Sequence, residues 1–285
     1  METLWFKRLA DMLQWPELAH LHLPQWGWLG LCAATTVLLA LWSLRRHQLS
    51  WRHGLVMIAS AMAAGVLGGH LVAVAFKPHL LLAQPWRLVI LFKSGVSSLG
   101  VYAGAMVGVG LWAWLRKQPL QAYCDATAPS LLLGAGMARL GCLMHGCDFG
   151  TVTTAALPWA MRYPQDSPAF RFLTRHQMID PFRAVGLPMH PFALYEALPV
   201  MLAAAVMLKW PKLTGQAPGQ RAAAAGAIYC AVRAVAEHFR GDAVDLLAGV
   251  SLLQVLCALA AAGFAALWYH LNQPQTAPKL EICHA

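Results

Sequence analysis

The sequence predicts an all-α integral membrane protein with about seven transmembrane helices and an extracytoplasmic cap region. Of its 285 residues, 59% are hydrophobic and only 12% charged, against roughly a quarter charged in soluble domains. Mean hydropathy is +0.52. Apolar runs of about 17 to 25 residues, enough to cross roughly 30 Å of hydrocarbon, follow one another along the chain.

In chain order, Leu4, Phe6, Leu9, Leu13 and Trp15 recur at helical spacing opposite Lys7, Arg8 and Asp11. That pattern suits a helix lying on the membrane surface, or a short solvated arm. The same charges interrupt any signal-peptide core. The spans are expected near Trp28–Leu44, Gly54–Phe76, Ser97–Leu115, Ser130–Met144, Pro191–Leu208, Ala222–His238 and Val250–Tyr269. This divides the chain into an interfacial arm at 1–27, a transmembrane domain at 28–270 that includes a cap at 146–190, and a tail at 271–285.

Basic residues orient the spans. Arg45, Arg46 and Arg52 follow the first, Arg116 and Lys117 the third, and Lys209, Lys212 and Arg221 the fifth. By the positive-inside rule these loops are cytoplasmic, which puts the N-terminus outside, the C-terminus inside and the 146–190 region outside. That region carries Pro158, Pro164, Pro168 and Pro181 among Arg162, Arg171, Arg175 and Arg183. It reads as a cap over the bundle mouth rather than a separate soluble core.

The excess of 21 basic over 12 acidic residues is assigned to short loops and anionic headgroups, so the expected partner is the lipid bilayer and not nucleic acid. Seven cysteines, an odd number with several inside apolar runs, imply no disulfide framework.

The polar residues inside the spans are the functional candidates, because ionisable groups at membrane depth are costly and face a protein interior or a wet cavity. Arg139 lies in ARLGCLMHGCDFG at the end of the fourth span. Tyr229, Arg233, Glu237 and Arg240 are spaced 4, 4 and 3 apart and so share one stripe of a helix. The plainer alternative is a self-neutralising Arg233–Glu237 pair. In HPFALYEA, His190 precedes a proline suited to a helix's first turn, and Tyr195 and Glu196 follow. A buried Glu196 needs a cation or a raised pKa, and Arg139 and Arg233 are the available cations. Tyr102 sits among small residues that leave room for a ligand or serve a packed interface. His70 reads as a hydrogen-bonded structural residue. Gln254 opens the last span in SLLQ.

Cys142, His145 and Cys147 raise the possibilities of a metal site, a redox pair or a nucleophilic thiol near Arg139. Their spacing, without an obvious fourth ligand, assigns no metal.

Together these motifs resemble the prolipoprotein diacylglyceryl transferases of bacterial inner membranes, over about Trp26 to Tyr269. RLGCLMHGCDFG is similar to the family signature Arg-x-Gly-Asn-Phe-x-Asn-Gly-Glu-x-x-Gly at Arg139, Gly141, Gly146 and Gly150. HPFALYEA looks like HPSQLYEA, YCAVRAVAEHFRGD like Tyr-x-x-x-Arg-x-x-x-Glu-x-x-Arg, and SLLQ like Ser-x-Gly-Gln. The resemblance implies transfer of the diacylglyceryl group of phosphatidylglycerol to the cysteine thiol of a prolipoprotein, with release of glycerol-1-phosphate and no cofactor.

It implies Arg139 and Arg233 on the donor phosphate, and Tyr102, His190 or a carboxylate as proton relay. Tyr229, Glu237, Arg240, Glu196, Tyr195, Gly150, Cys142, His145 and Gln254 then line the substrate site. The chain departs from the signature at Cys142, His145 and Cys147, which stand where the family has Asn, Asn and Glu. Tyr102 stands where the family has a histidine. These departures bear on the acceptor more than on the lipid donor and leave two alternatives open: a non-lipoprotein acceptor, or a non-catalytic lipid- or metal-binding membrane protein.

Overall fold

The computed structural model describes residues 25–75, 97–153, 157–165, 167–183, 185–243, 245–247 and 249–273. The expected surface helix near the N-terminus and almost all of the C-terminal tail lie outside the described residues. The chain divides into two compact units, one of residues 37–127 and one of residues 1–36 with 128–285.

The described residues form the helices α1 (Gln25–Arg46), α2 (Trp51–Ala75), α3 (Ser98–Arg116), α4 (Leu120–His145), α5 (Pro168–Arg175), α6 (Phe192–Lys209), α7 (Pro211–Thr214), α8 (Gln220–Glu237) and α9 (Leu252–Asn272), with a hairpin of β1 (Asp245–Leu247) and β2 (Val250–Ser251) before α9. Each of the seven expected spans falls on a long helix. Five of those helices, α1, α2, α4, α6 and α9, are long and apolar enough to cross a membrane. The other two, α3 and α8, stand outside that set, and α8 carries Arg221, Arg233 and Glu237. The fourth helix begins at Leu120, ten residues before the expected Ser130, and continues through Pro129. Pro129 is buried, and the helix continues despite the backbone bond that a proline forfeits.

In the 37–127 unit, α2 and α3 pack backbone to backbone. Gly100, Gly104 and Gly108 recur every fourth residue and meet Gly68, Ala64 and Ser60, so a methyl group added at any of the three glycines would strike a carbonyl of α2. Small residues at that spacing let membrane helices approach closely where the hydrophobic effect gives no drive. The small residues around Tyr102 are thus taken up by α2, and Tyr102 is half exposed. At the other end Leu44, Met57, Trp112, Ala113, Tyr123 and Ala126 form a cluster, and Ser43 donates to the Ala126 carbonyl at 2.6 Å. Arg46 lies over Trp42 and both Arg45 and Arg52 over Trp51, at 5.4 to 5.7 Å. Basic and aromatic residues together suit a headgroup boundary.

In the other unit, α4 is held on both sides by close contacts. Trp28 donates to the Met137 carbonyl at 3.0 Å, and its indole fills the space beside Gly141. Met201 of α6 fills the space beside Gly136. Gly226 of α8 lies against the ring of Phe264 of α9. The cap carries an apolar core of its own, with Phe149, Tyr163, Ala169, Phe170, Leu173, Ile179 and Met189 all buried. Ser167 caps α5, its hydroxyl accepting from the Phe170 amide at 3.1 Å. Single bridges between Gly150 and Arg240 and between Val152 and Met189 tie the chain after α4 to the residues flanking α6 and α8.

Candidate active site

Three arginines and three carboxylates from four stretches of chain close into a ring. Glu196, on the second turn of α6, is 1% exposed. It lies between Arg139 of α4, at 2.9 Å, and Arg233 of α8, at 3.1 Å. Arg233 also reaches Glu237, one turn further along α8, at 2.8 Å. Glu237 meets Arg240 at 3.8 Å, and Arg240 meets Asp148 at 3.8 Å. Asp148 accepts from Arg139 and completes the circuit. The Arg139–Glu196 and Arg233–Glu237 contacts are ion pairs by distance rather than aligned hydrogen bonds.

The ring balances its own charge, which is how so many ions tolerate burial: an isolated charge in low dielectric is costly, a paired one far less so. Phe192 fills the space beside it, with the guanidinium carbons of Arg233 and Arg240 at 5.2 and 5.8 Å from the ring centroid. Arg233 is the interior cation, with its side chain 7% exposed. Arg139 and Arg240, at 21% and 24%, form the open edge. An anion arriving there meets two guanidinium groups already shared by one carboxylate, Asp148.

Local sequence explains the placement. Gly146 takes the left-handed conformation, φ 68°, and stops α4, so the chain turns back and brings Asp148 to Arg139. Gly150 accommodates close approach of the His190 and Phe239 carbonyls, and its amide donates to the His190 carbonyl at 3.1 Å. Gly241 lies against Gly150, and its amide donates to the Phe149 carbonyl at 3.0 Å. Gly150 therefore positions backbone. Arg240 lies beyond the end of α8, so the expected stripe of Tyr229, Arg233, Glu237 and Arg240 is helical only as far as Glu237. A turn then returns Arg240 to the same carboxylate, and Asp242 binds its guanidinium at 2.6 Å.

A second cluster adjoins the ring. The Tyr195 hydroxyl accepts from the Trp159 indole at 2.9 Å and lies 3.1 Å from His190 Nδ1. Phe239 packs on both His190 and Tyr195, with centroids 5.2 Å apart in each case. Burial lowers the pKa of His190 below its ordinary 6.5, so the imidazole is neutral near pH 7 and able to accept a proton. Below Tyr195 an apolar groove of ≈ 290 Å³ runs between α6 and α8, lined by Pro199, Val232, Val235, Ala236 and Phe239.

Of the other expected site residues, Tyr229 packs on the cluster formed by Ala128, Leu132, Val200 and Ala204. Gln254 is the third residue of α9, its amide donating to the Ser251 hydroxyl at 3.0 Å. That is the position a capping box assigns to Gln. His145 is exposed in the last turn of α4. Cys142 is partly buried one turn from Arg139. Tyr102 belongs to the 37–127 unit.

Sequence reasoning missed Ser251, which is buried and donates to Glu237 at 3.5 Å, as well as Phe192, Trp159 and Asp242. Asp148 stood in the ARLGCLMHGCDFG motif without a role of its own. Ser251 and Asp242 carried a signal, polar residues at the two ends of the hairpin that joins α8 to α9. Among the described residues no group of three His, Cys, Asp or Glu side chains is placed to hold a metal ion.

Comparison with known proteins accounts for these motifs together. The chain is 33% identical over 210 residues to the phosphatidylglycerol--prolipoprotein diacylglyceryl transferase of Dechloromonas aromatica, covering 69% of this chain and 72% of that one. It is 30% identical to the proteins of the same name from Methylibium petroleiphilum, over 71% and 72% of the two chains, and from Polaromonas sp., over 73% and 71%. Residues 16–270 match the family described as prolipoprotein diacylglyceryl transferase, and the chain belongs to that family.

Proposed function

We propose that the protein transfers the diacylglyceryl group of phosphatidylglycerol to the cysteine thiol of a prolipoprotein and releases glycerol-1-phosphate. The observation that carries this reading is the joining of Arg139 and Arg233 through Glu196, within a chain that belongs to the transferase family. The acceptor thiolate attacks the glyceryl carbon that bears the phosphate, the carbon–oxygen bond breaks, and charge collects on the departing phosphate. Arg139 and Arg240 at the open edge receive that anion, and Arg233 holds the carboxylates that aim them. Preformed cations of this kind act most strongly where water is excluded.

His190, neutral and held by Tyr195, takes the thiol proton; Tyr102 is the other candidate relay. The groove below Tyr195 takes part of an acyl chain. Cys142, His145, Tyr229 and Gln254 line the remaining surface of the site. The protein works in the bacterial inner membrane with its N-terminus outside, its C-terminus cytoplasmic and the 146–190 cap at the outer surface, where the acceptor enters.

The test is release of glycerol-1-phosphate from phosphatidylglycerol by purified protein given a lipobox peptide. No release by folded protein overturns the proposal. A second reading keeps the donor and changes the acceptor to a non-lipoprotein thiol, hydroxyl or glycan. Cys142 and Cys147, in place of the family's Asn and Glu, favour it, and a diacylglyceryl conjugate other than lipoprotein in membranes containing the protein would establish it.

A further inference from the structure

Two thiols meet where α4 ends, and the transfer reaction uses neither as a reactant. The Gly146 amide donates to the Leu143 carbonyl and the Cys147 amide to the Cys142 carbonyl, both at 3.3 Å. With Gly146 left-handed, these bonds make a Schellman termination, which characteristically brings the side chains at its first and last positions together. In most helices that contact is apolar. Here its two members are Cys142 and Cys147. The Cys147 thiol also points at the Cys142 carbonyl, at 3.8 Å. Both are free thiols of intermediate exposure, whereas Cys32 is buried, at 5% exposure.

We propose that Cys142 and Cys147 form a reversible intramolecular disulfide site, oxidised by thiol–disulfide exchange with an external disulfide. The Cys142 thiolate attacks one sulfur of that disulfide, forms a mixed disulfide and expels the first thiolate. Cys147 then attacks the Cys142 sulfur and expels the second. Two electrons and two protons leave the protein, and one disulfide becomes two thiols. The adjacent Cys142 thiol, followed by burial and the nearby Asp148 charge, raises the pKa of Cys147. That makes Cys147 the resolving thiol. The six-residue ring so closed is flanked by Arg139, one turn back, and by Asp148, the next residue. Its redox state is thus written beside the open edge of the charged ring.

Full-length protein in detergent is incubated with oxidised glutathione, alkylated without reductant and mapped by peptide mass spectrometry. The expected result is a Cys142–Cys147 cross-link, two hydrogens lighter than the dithiol, reversed by dithiothreitol, retained in Cys32→Ser and lost in Cys147→Ser. Recovery of Cys142 and Cys147 as alkylated thiols overturns the proposal, and so does a Cys32–Cys142 cross-link. Mapping of the unsubstituted protein suffices if either variant fails to fold. The site stands apart from the proposed function: protein that forms the cross-link but releases no glycerol-1-phosphate keeps the one and loses the other.

Discussion

Both oxygens of the Glu196 carboxylate face arginines from different helices, Arg139 of α4 at 2.9 Å and Arg233 of α8 at 3.1 Å. The two cations therefore differ in what their loss does. Arg233 is buried against two carboxylates, and removing one partner of a buried pair costs about 3 to 5 kcal/mol. Arg233→Ala is expected to lower the thermal midpoint as well as abolish transfer. Arg139 lies at the open edge, so Arg139→Ala is expected to lower transfer about 100-fold with a much smaller thermal shift. Glycerol-1-phosphate release and thermal unfolding, measured on the same samples, check both.

Asp148 occupies the place an incoming phosphate needs, since it contacts both Arg139 and Arg240. Asp148→Asn keeps the shape and removes the competing charge. If displacing that charge costs about 1 kcal/mol, KM for phosphatidylglycerol falls roughly fivefold, with kcat changed less. A KM that rises would mean that Asp148 instead holds the arginines in place for the donor.

Much of this site was legible from residue type alone, because charge at membrane depth must be paired or functional. Arg139, Glu196, Arg233 and Glu237 stood out for that reason, and Glu196 finds both cations that the sequence offered it. What the sequence hid is closure. Spacing along α8 could not show that the helix ends at Glu237 and that a turn brings Arg240 back to Asp148. Nor could it show that Gly146 reverses the chain. The start of α4 at Leu120 was missed because Gln121, Asp125 and Thr127 make its first turns polar, and a hydropathy pattern registers only the apolar part. The small residues around Tyr102 suited either a ligand or a packed interface, since a sequence does not reveal which backbone will occupy the space; α2 occupies it.

His190 sets the expected pH profile. Its pKa lies below 6.5 because burial disfavours the charged ring, so the base form persists to lower pH than for a solvent-exposed histidine. The acidic limb of transfer, where the imidazole protonates, should therefore lie at lower pH than a solvent-exposed histidine would give. Tyr195→Phe removes the hydroxyl that joins His190 to Trp159 and is expected to shift this acidic limb and lower the rate. An unshifted limb in Tyr195→Phe, or one unchanged in His190→Ala, assigns proton transfer to another group.

Gly104 and Gly110 stand six residues apart on α3 and make opposite demands. A Cβ at Gly104 collides with the Ala64 carbonyl, whereas nothing lies within 4 Å of a Cβ at Gly110. In a helix interior, alanine in place of glycine is worth about 0.5 to 1 kcal/mol where space allows. Gly110→Ala should therefore leave the thermal midpoint unchanged or raise it slightly. Gly104→Ala must push α2 and α3 apart along a contact that runs through Gly100, Gly104 and Gly108, and close packing is what holds such helices together in lipid. Its midpoint should fall by several degrees, and Gly104→Leu should fall further. Equal midpoints for Gly104→Ala and Gly110→Ala would mean that α2 and α3 do not meet along this face.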